Sequence, residues 1–405
     1  MSDFDSLLTG LTVLAFIATV VLAFFSPRLR RSARRDPLTA GIKPVMPESA
    51  ADLPVEGDDP DHRECVAVSL LVADLMIADE WAEIAEKISN WEANLTASPG
   101  GVRYHEIAVR TCLSGLQGLI DDAPRSTLSD LDDARTEVGH FMDTHRQTPE
   151  NHIFALLAAR AHMILGEAFA GADWPADQRR AAWRRMAQHF IAAGEILEPF
   201  DAMSFMSPLL AESHYLHALG SPGGEDKLED LFDVWIDLDP SNSNIYNVHV
   251  AAMVAHDRIT GDDIIREADL AMQRTESTLG FGGYALFFMP LLTEYDSARD
   301  LLDPELYAAA LMDLASNSAT QAEINLATAA LLTEIESSDE DISAAYRDTL
   351  ILMIRQHLKV IYPRLWPISV QEIQNLVSEA AHVAPDIELE MPSAEQTPQG
   401  QRIAA

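Results

Sequence analysis

Apolar residues recur at three- and four-residue spacing through most of the chain, over about residues 62–382. This spacing places apolar side chains on one face of an α-helix, and no convincing run of alternating β-branched residues predicts a strand. Short Gly-, Pro- and Asp-containing breakers separate the apolar stripes at residues 98–101, 221–224, 260–262 and 280–283. Helices joined by short polar turns pack as antiparallel neighbours. The sequence therefore predicts an all-α body of stacked antiparallel helical hairpins.

One of these stripes runs through residues 154–168. Its apolar members are Phe154, Leu157, Ala158, Ala161, Leu165 and Ala168. Arg160 and Glu167 fall elsewhere on the same predicted helix. The pattern thus places both charged residues off the apolar stripe.

An uncharged apolar run covers residues 7–25, ahead of the body. As a helix it spans about 28 Å, close to the thickness of the hydrocarbon core of a bilayer. The residues predicted to anchor it in the membrane are Leu7, Leu11, Leu14, Phe16, Ile17, Val21, Phe24 and Phe25. The basic juxtamembrane residues that follow are Arg28, Arg30, Arg31, Arg34 and Arg35. The positive-inside rule then predicts a single-pass protein of the cytoplasmic (inner) membrane, with its N-terminus outside and its body in the cytoplasm.

Two features of this span leave alternatives open. An unusual leader followed by an exported body is the alternative to an anchor, although Pro27 and the arginines stand where cleavage is expected. Ala15, Thr19 and Ala23 form a stripe of small residues within the span. That stripe either packs against another helix, as in a homo-oligomer, or reflects the ordinary composition of membrane spans, which we favour because it contains no glycine.

Four segments follow from these patterns. Residues 1–35 are the anchor with its basic flank, and residues 36–61 are a linker rich in Pro and Asp, predicted to be an extended spacer because proline stiffens the chain. Residues 62–383 are the helical-repeat body. Residues 384–405 are a polar, proline-containing tail that we predict to be disordered.

Composition restricts the partners and the chemistry. The chain has 28 Lys+Arg against 64 Asp+Glu, a net charge of −36. Nucleic-acid binding needs a basic face, so this balance argues against it and favours basic protein partners. Two cysteines can form neither a disulfide framework nor a four-cysteine zinc site. Cys65 and Cys112 are predicted to pack as small apolar side chains.

Residues 228–246, LEDLFDVWIDLDPSNSNIY, resemble the end of one tetratricopeptide repeat and the start of the next. The places that this motif gives to a small or apolar residue, an aromatic, a small residue, a proline and a large aromatic hold Leu228, Phe232, Trp235, Pro240 and Tyr246. Alanine is usual where Trp235 stands, so the local packing must differ from that of the family.

Weaker matches to the same motif contain Phe141 with Pro149, and Phe190 with Pro199. The three prolines, 149, 199 and 240, lie 50 and 41 residues apart instead of near 34, so the array is degenerate. The order over about residues 147–254 also resembles an uncharacterised group of bacterial tetratricopeptide-like domains. The resemblance implies an α-solenoid that offers a concave surface to another protein, without showing which residues bind it.

The best candidate metal cluster is Glu212, His214 and His217. Spacing of three puts both imidazoles on one helix face, but no third ligand is visible in the sequence, and a polar helix face is the preferred interpretation. Asp237, Asp239, Ser241 and Ser243 mimic the start of a calcium loop, but Asn242 and Val248 replace the required glycine and bidentate acid. We therefore predict no catalytic, metal-binding or cofactor-binding residues.

A basic group on the predicted helix around Trp183 leaves three interpretations open. Its members are Arg179, Arg180, Arg184 and Arg185. In order of preference, the group is a solvated outer face, a set of salt bridges to an acidic helix, or a docking patch.

Taken together, these features predict a membrane-anchored, non-enzymatic protein-interaction scaffold with an acidic cytoplasmic helical-repeat domain. The expected partners are proteins that are basic or membrane-associated. One alternative is an accessory subunit of a larger membrane complex. The other is an enzyme with a cryptic site in the helical fold, around Glu212, His214 and His217.

Overall fold

The structure, a computed structural model, describes residues 53–57, 62–170, 174–255, 260–317 and 320–382. The predicted anchor (1–35), residues 36–52 and 58–61 of the predicted linker, and the tail (384–405) lie outside these ranges. Within them the fold is all-helical, as predicted: sixteen α-helices and four 3₁₀ turns occur, with two isolated β-bridges as the only extended pairing.

The described residues form two compact units, where the sequence predicted one continuous body. The first unit contains the described residues from His62 to Thr260, and the second contains residues 53–57 and those from Gly261 onward. The helices of the first unit are α1 (His62–Ile77), α2 (Trp81–Ala93), α3 (Tyr104–Asp121), α4 (Asp132–Gln147), α5 (His152–Ala170), α6 (Arg179–Leu197), α7 (Ala202–Phe205), α8 (Pro208–Leu219), α9 (Leu228–Leu238) and α10 (Ser243–Ala255). Its 3₁₀ turns are Leu128–Leu131 and Glu225–Lys227.

Helix α5 is the central element of the first unit. It packs against α2, α3, α4, α6 and α8, and fifteen of its residues are buried. Among the described residues it is the one helix long and apolar enough to cross a membrane, but 78% of its most apolar window is buried inside the protein. Its apolar character is therefore that of a core helix, enclosed on several sides by its neighbours.

The aromatic residues of the tetratricopeptide-like stretch pack together at the α9–α10 pair. The ring of Phe232 stacks on that of His249, with 3.8 Å between the ring centroids, and meets the ring of Tyr246 edge-on, with 5.9 Å between the centroids. Trp235, which stands in place of the usual alanine, lies 5.6 Å from Tyr215 of α8. This large side chain therefore packs between α8 and α9.

A buried ion pair ties the start of α3 to the turn after α9. Arg103 donates from Nε to Asp239 Oδ2 at 2.8 Å, and its Nη2 pairs with the other carboxylate oxygen. The guanidinium also donates to Ser241 Oγ at 2.8 Å and to the Leu95 carbonyl at 3.2 Å. Asp239 is fully buried. Asp239 and Ser241, two of the residues that mimic a calcium loop in the sequence, therefore accept hydrogen bonds from Arg103.

We expect Asp239→Asn to lower the free energy of unfolding by about 3–5 kcal/mol, because the Arg103 charge would stay buried without its counterion. Urea unfolding followed by tryptophan fluorescence measures the change. Asp230→Asn, on the exposed face of α9, removes the same charge and should cost less than about 0.5 kcal/mol. Equal losses in the two variants would show that the ion pair contributes no special stability.

The second unit stacks six helices. They are α11 (Gly261–Leu279), α12 (Gly282–Glu294), α13 (Pro304–Asn317), α14 (Gln321–Ser337), α15 (Glu340–Gln356) and α16 (Val370–His382). Its 3₁₀ turns are Asp296–Leu301 and Pro363–Leu365. Pro304 opens α13 with Asp303 as its cap, since Asp303 Oδ1 accepts from the amides of Glu305 and Leu306 at 3.1 and 3.0 Å.

Residues 53–57 of the predicted spacer belong to this second unit. Val55 forms a parallel bridge with Ile361, where the Glu56 amide donates to the Ile361 carbonyl and the Ile361 amide donates to the Pro54 carbonyl, both at 2.9 Å. This short piece of the linker is therefore paired with the loop after α15.

Asn325, fully buried on α14, organises the same loop. Its side-chain amide donates to the Val360 carbonyl at 2.9 Å, while its oxygen accepts from the Tyr362 amide at 3.0 Å and from Trp366 Nε1 at 2.7 Å. Both ends of the amide are used, so the asparagine holds the loop in one conformation.

We expect Asn325→Ala to destabilise the second unit by about 2–4 kcal/mol, because it leaves several buried polar groups without partners. Hydrogen exchange at the Tyr362 amide should become faster as the free energy of unfolding falls. Asn375→Ala, on the exposed face of α16, is the matched control. Unchanged protection of Tyr362 would contradict the role assigned to Asn325.

Candidate functional site

A cleft of about 470 Å³ lies within the first unit, and four of its helices line it. The lining residues occur at three- and four-residue spacing along each helix. They are Glu106, Val109, Arg110, Leu113, Ser114, Gln117, Gly118 and Asp121 of α3; Arg160, Met163, Ile164 and Glu167 of α5; Glu212, Leu216 and Leu219 of α8; and Asn244, Val248, Ala251, Ala252 and Ala255 of α10. Such a volume is within the range of about 300–1,000 Å³ that ligand pockets occupy.

The cleft is open to solvent along one edge of α3. Arg110, Ser114, Gly118 and Asp121 are all exposed there. The opposite walls are apolar and come mainly from α5, α8 and α10. An apolar cleft with an accessible rim and a few polar groups is the usual form of a binding site.

One end of the cleft holds a buried ion pair. Arg160, only 8% exposed, pairs with Glu212 at 2.5 Å between Nη2 and Oε2, and its Nε donates to Ser213 Oγ at 2.9 Å. The sequence pattern placed Arg160 off the apolar stripe, and the structure buries it nevertheless. Burial is tolerated because the guanidinium has a carboxylate and a hydroxyl as partners.

Glu106 stands beside this pair. Its Oε1 accepts from Asn242 Nδ2 at 2.6 Å, which adds a second tie between α3 and the turn before α10. Burial and the nearby charge of Glu212 raise the pKa of Glu106 to about 8. The carboxyl is therefore mostly protonated at neutral pH unless a positive charge enters the cleft.

Glu167 lies further along α5, two turns from Arg160, or about 10 Å along the helix axis. Within the described part of the chain its carboxyl makes no hydrogen bond and no ion pair. Burial raises its pKa to about 7, and Arg160 opposes that rise. The cleft thus presents an acid that, when it ionises, has no hydrogen-bond or ion-pair partner among the described residues.

The side chains of Glu212, His214 and His217, the candidate metal cluster of the sequence, contact separate partners. His214 Nε2 contacts the Phe200 carbonyl at 2.8 Å, and His217 Nε2 contacts the Phe190 carbonyl at 2.9 Å. A Cβ at Gly194 would lie 2.8 Å from His217 Nε2, so this glycine provides the space for the imidazole. Glu212 instead faces Arg160, and the residues that the structure describes contain no group of three metal-ligating side chains.

The four arginines of the basic group around Trp183 lie in different environments along α6. Arg180 and Arg184 are exposed, as the preferred interpretation predicted. Arg179 donates from Nε to the Trp174 carbonyl at 3.0 Å, and Arg185 lies 5.7 Å above the ring of Phe169. These contacts are local to α6 and its neighbours.

Sequence reasoning did not select Glu106, Arg160 or Glu167 as candidate site residues, although all three line the cleft. A signal for the last two was present, because they are the only charged residues of an otherwise apolar helix and stand seven apart, on one face. For Glu106 no such signal exists, since its helix is amphipathic.

Comparison with known proteins finds no protein family, no curated protein and no solved structure that matches this chain. The tetratricopeptide-like resemblance consequently stays a prediction from the residues that carry it.

We expect Glu167→Gln to raise the free energy of unfolding at pH 8 by about 1–3 kcal/mol. The raised pKa means that the folded protein holds this proton more tightly than the unfolded chain. The resulting stabilisation is complete below about pH 4.5, the ordinary value, and is lost as pH rises through about 7. Glutamine stays neutral, so the advantage of the variant should shrink towards pH 5.

Urea unfolding of the variant and the wild-type protein at pH 5, 6.5 and 8 measures this difference. Glu195→Gln removes the same charge from the exposed face of α6 and should change stability by less than about 0.5 kcal/mol at each pH. A Glu167→Gln protein that is less stable than wild type at pH 8 would show that the fold itself compensates the carboxylate.

Proposed function

We propose that the protein is a membrane-anchored, non-enzymatic interaction scaffold, and that the cleft of its first unit takes a short segment of another protein. The observation that carries this proposal is the cleft, with apolar walls from α5, α8 and α10 and an exposed rim on α3. The anchor over residues 7–25 and the basic flank supply the attachment to the membrane in this proposal.

The arrangement of helices supports a tetratricopeptide-like interpretation of the first unit. The cleft is lined by α3, α5, α8 and α10, which are the first members of the successive pairs α3–α4, α5–α6 and α8–α9, with α10 next. In stacked helical repeats the concave surface is the one that binds partners. A lining drawn from the first helix of each pair fits such a surface.

The enzyme alternative has less support from the geometry. Its best-specified form used His214 and His217, and both imidazoles contact main-chain carbonyls instead of a common ligand. The accessory-subunit alternative stays open within the proposal, because a subunit of a complex would use the same cleft.

We expect Gly118→Trp to abolish binding of the partner without loss of stability. Gly118 lines the cleft, and a Cβ there meets no atom within 4 Å, so the indole would occupy the cleft without displacing the core. Gly118 lies in the last turn of α3, and replacing a helical glycine also favours the helix. The measurement is quantitative mass spectrometry of proteins that copurify with the tagged full-length chain from native membranes.

Gly139→Trp is the matched control. Gly139 lies in the middle of α4, where a Cβ also meets no atom within 4 Å, and no residue of α4 lines the cleft. We expect this variant to retain every partner that wild type retains. Identical partner sets for wild type and Gly118→Trp would refute a role for the cleft.

A further inference from the structure

We propose that the segment bound in the cleft carries a lysine or arginine whose cation pairs with Glu167, while apolar neighbours of that residue pack on the cleft walls. This inference rests on the proposed function, since it assumes that the cleft takes a segment of another protein. It assigns the chemistry of that segment.

The charge of the cleft selects a cation. Four acidic residues, Glu106, Asp121, Glu167 and Glu212, line it against two arginines. Arg160 is already paired with Glu212, and Arg110 is exposed at the rim. Glu106 is mostly protonated at neutral pH, so the buried part of the cleft offers an anionic ligand no unpaired positive charge, whereas a cation would favour the ionised form of Glu167.

Among these acids, Glu167 is the one placed to receive the cation. Glu212 faces Arg160, Glu106 accepts from Asn242, and Asp121 accepts from Gln117 at 2.8 Å in the exposed rim. Glu167 makes no hydrogen bond or ion pair with the described residues. A ligand ammonium or guanidinium would supply the missing counterion and would form charge-assisted hydrogen bonds.

The walls between the acids fit the rest of such a residue. Leu113 and Met163 are buried, and Leu216 is half-buried beside them in the lining. Lysine and arginine bury their aliphatic stems along apolar surface while the cation reaches a polar partner. Apolar residues on either side of the basic one would cover the remaining wall.

The test selects binders from a displayed library of random twelve-residue peptides on the full-length protein in detergent, with Gly118→Trp protein for counter-selection. We expect the peptides that need the open cleft to share a lysine or arginine flanked by apolar residues. Isothermal titration then compares each peptide with its lysine-to-norleucine analogue, which keeps the stem and removes the charge.

For a basic peptide we expect Glu167→Gln to weaken binding by about 10- to 100-fold, and Glu195→Gln to leave it unchanged. The norleucine analogue should bind wild type and Glu167→Gln equally, because the interaction that the variant removes is absent from it. Those results together would establish the ion pair.

Other outcomes distinguish failure of this inference from failure of the proposed binding function of the cleft. Cleft-dependent peptides without a basic residue, or basic peptides that bind Glu167→Gln as tightly as wild type, would overturn the inference and leave the binding function standing. A library without cleft-dependent peptides would overturn both. Equally tight, Glu167-dependent binding of a peptide of residues 27–35 would assign the site to the chain's own basic segment instead of a partner.

Discussion

The Arg103–Asp239 ion pair is the contact on which the cleft depends. It joins the residue before α3 to the residue after α9, which are 136 positions apart in the chain. Glu106 follows Arg103 by three residues and Asn242 follows Asp239 by three, and Asn242 donates to Glu106. The ion pair and this hydrogen bond together fix the start of α3 against the start of α10. Both helices line the cleft, and a buried charge pair is stable only while both partners remain. The relative position of two of the four helices that line the cleft therefore depends on these two long-range contacts.

Much of the helical fold could be predicted because helix formation leaves a local pattern. Apolar spacing, the breakers and the Asp303–Pro304 cap all act within a few residues, and the structure shows helices and turns at those places. Division into two units could not be predicted in this way, since periodicity shows which face of a helix is buried but not which helix covers it. The pairing of Val55 with Ile361 could not be predicted either, because a bridge of one residue on each side leaves no periodic pattern in the sequence.

The site was harder to predict than the fold, for a reason that Arg160 and His217 illustrate. A motif search looks for side chains whose types suit a known ligand, and it therefore selected the histidines of α8. The structure uses His217 to reach a main-chain carbonyl past Gly194, a contact that depends on two helices meeting. The apolar pattern placed Arg160 off the stripe, on the part of a helix where charged side chains are usually exposed. Its partners, Glu212 and Ser213, lie on another helix, so the sequence of α5 alone could not reveal that its burial is compensated.

Glu167 differs from these compensated groups, and the difference relates the cleft to the composition of the whole chain. A net charge of −36 attracts basic partners over a distance, but salt screens charges at the surface beyond about 8 Å under physiological conditions. Long-range attraction of this kind raises association rates more than it selects among partners. A carboxylate between apolar walls is screened far less, and a cation beside Glu167 would favour the ionised form that burial disfavours. The surface charge would thus bring basic proteins close to this one, whereas the cleft would discriminate among them by whether a cation arrives together with apolar neighbours.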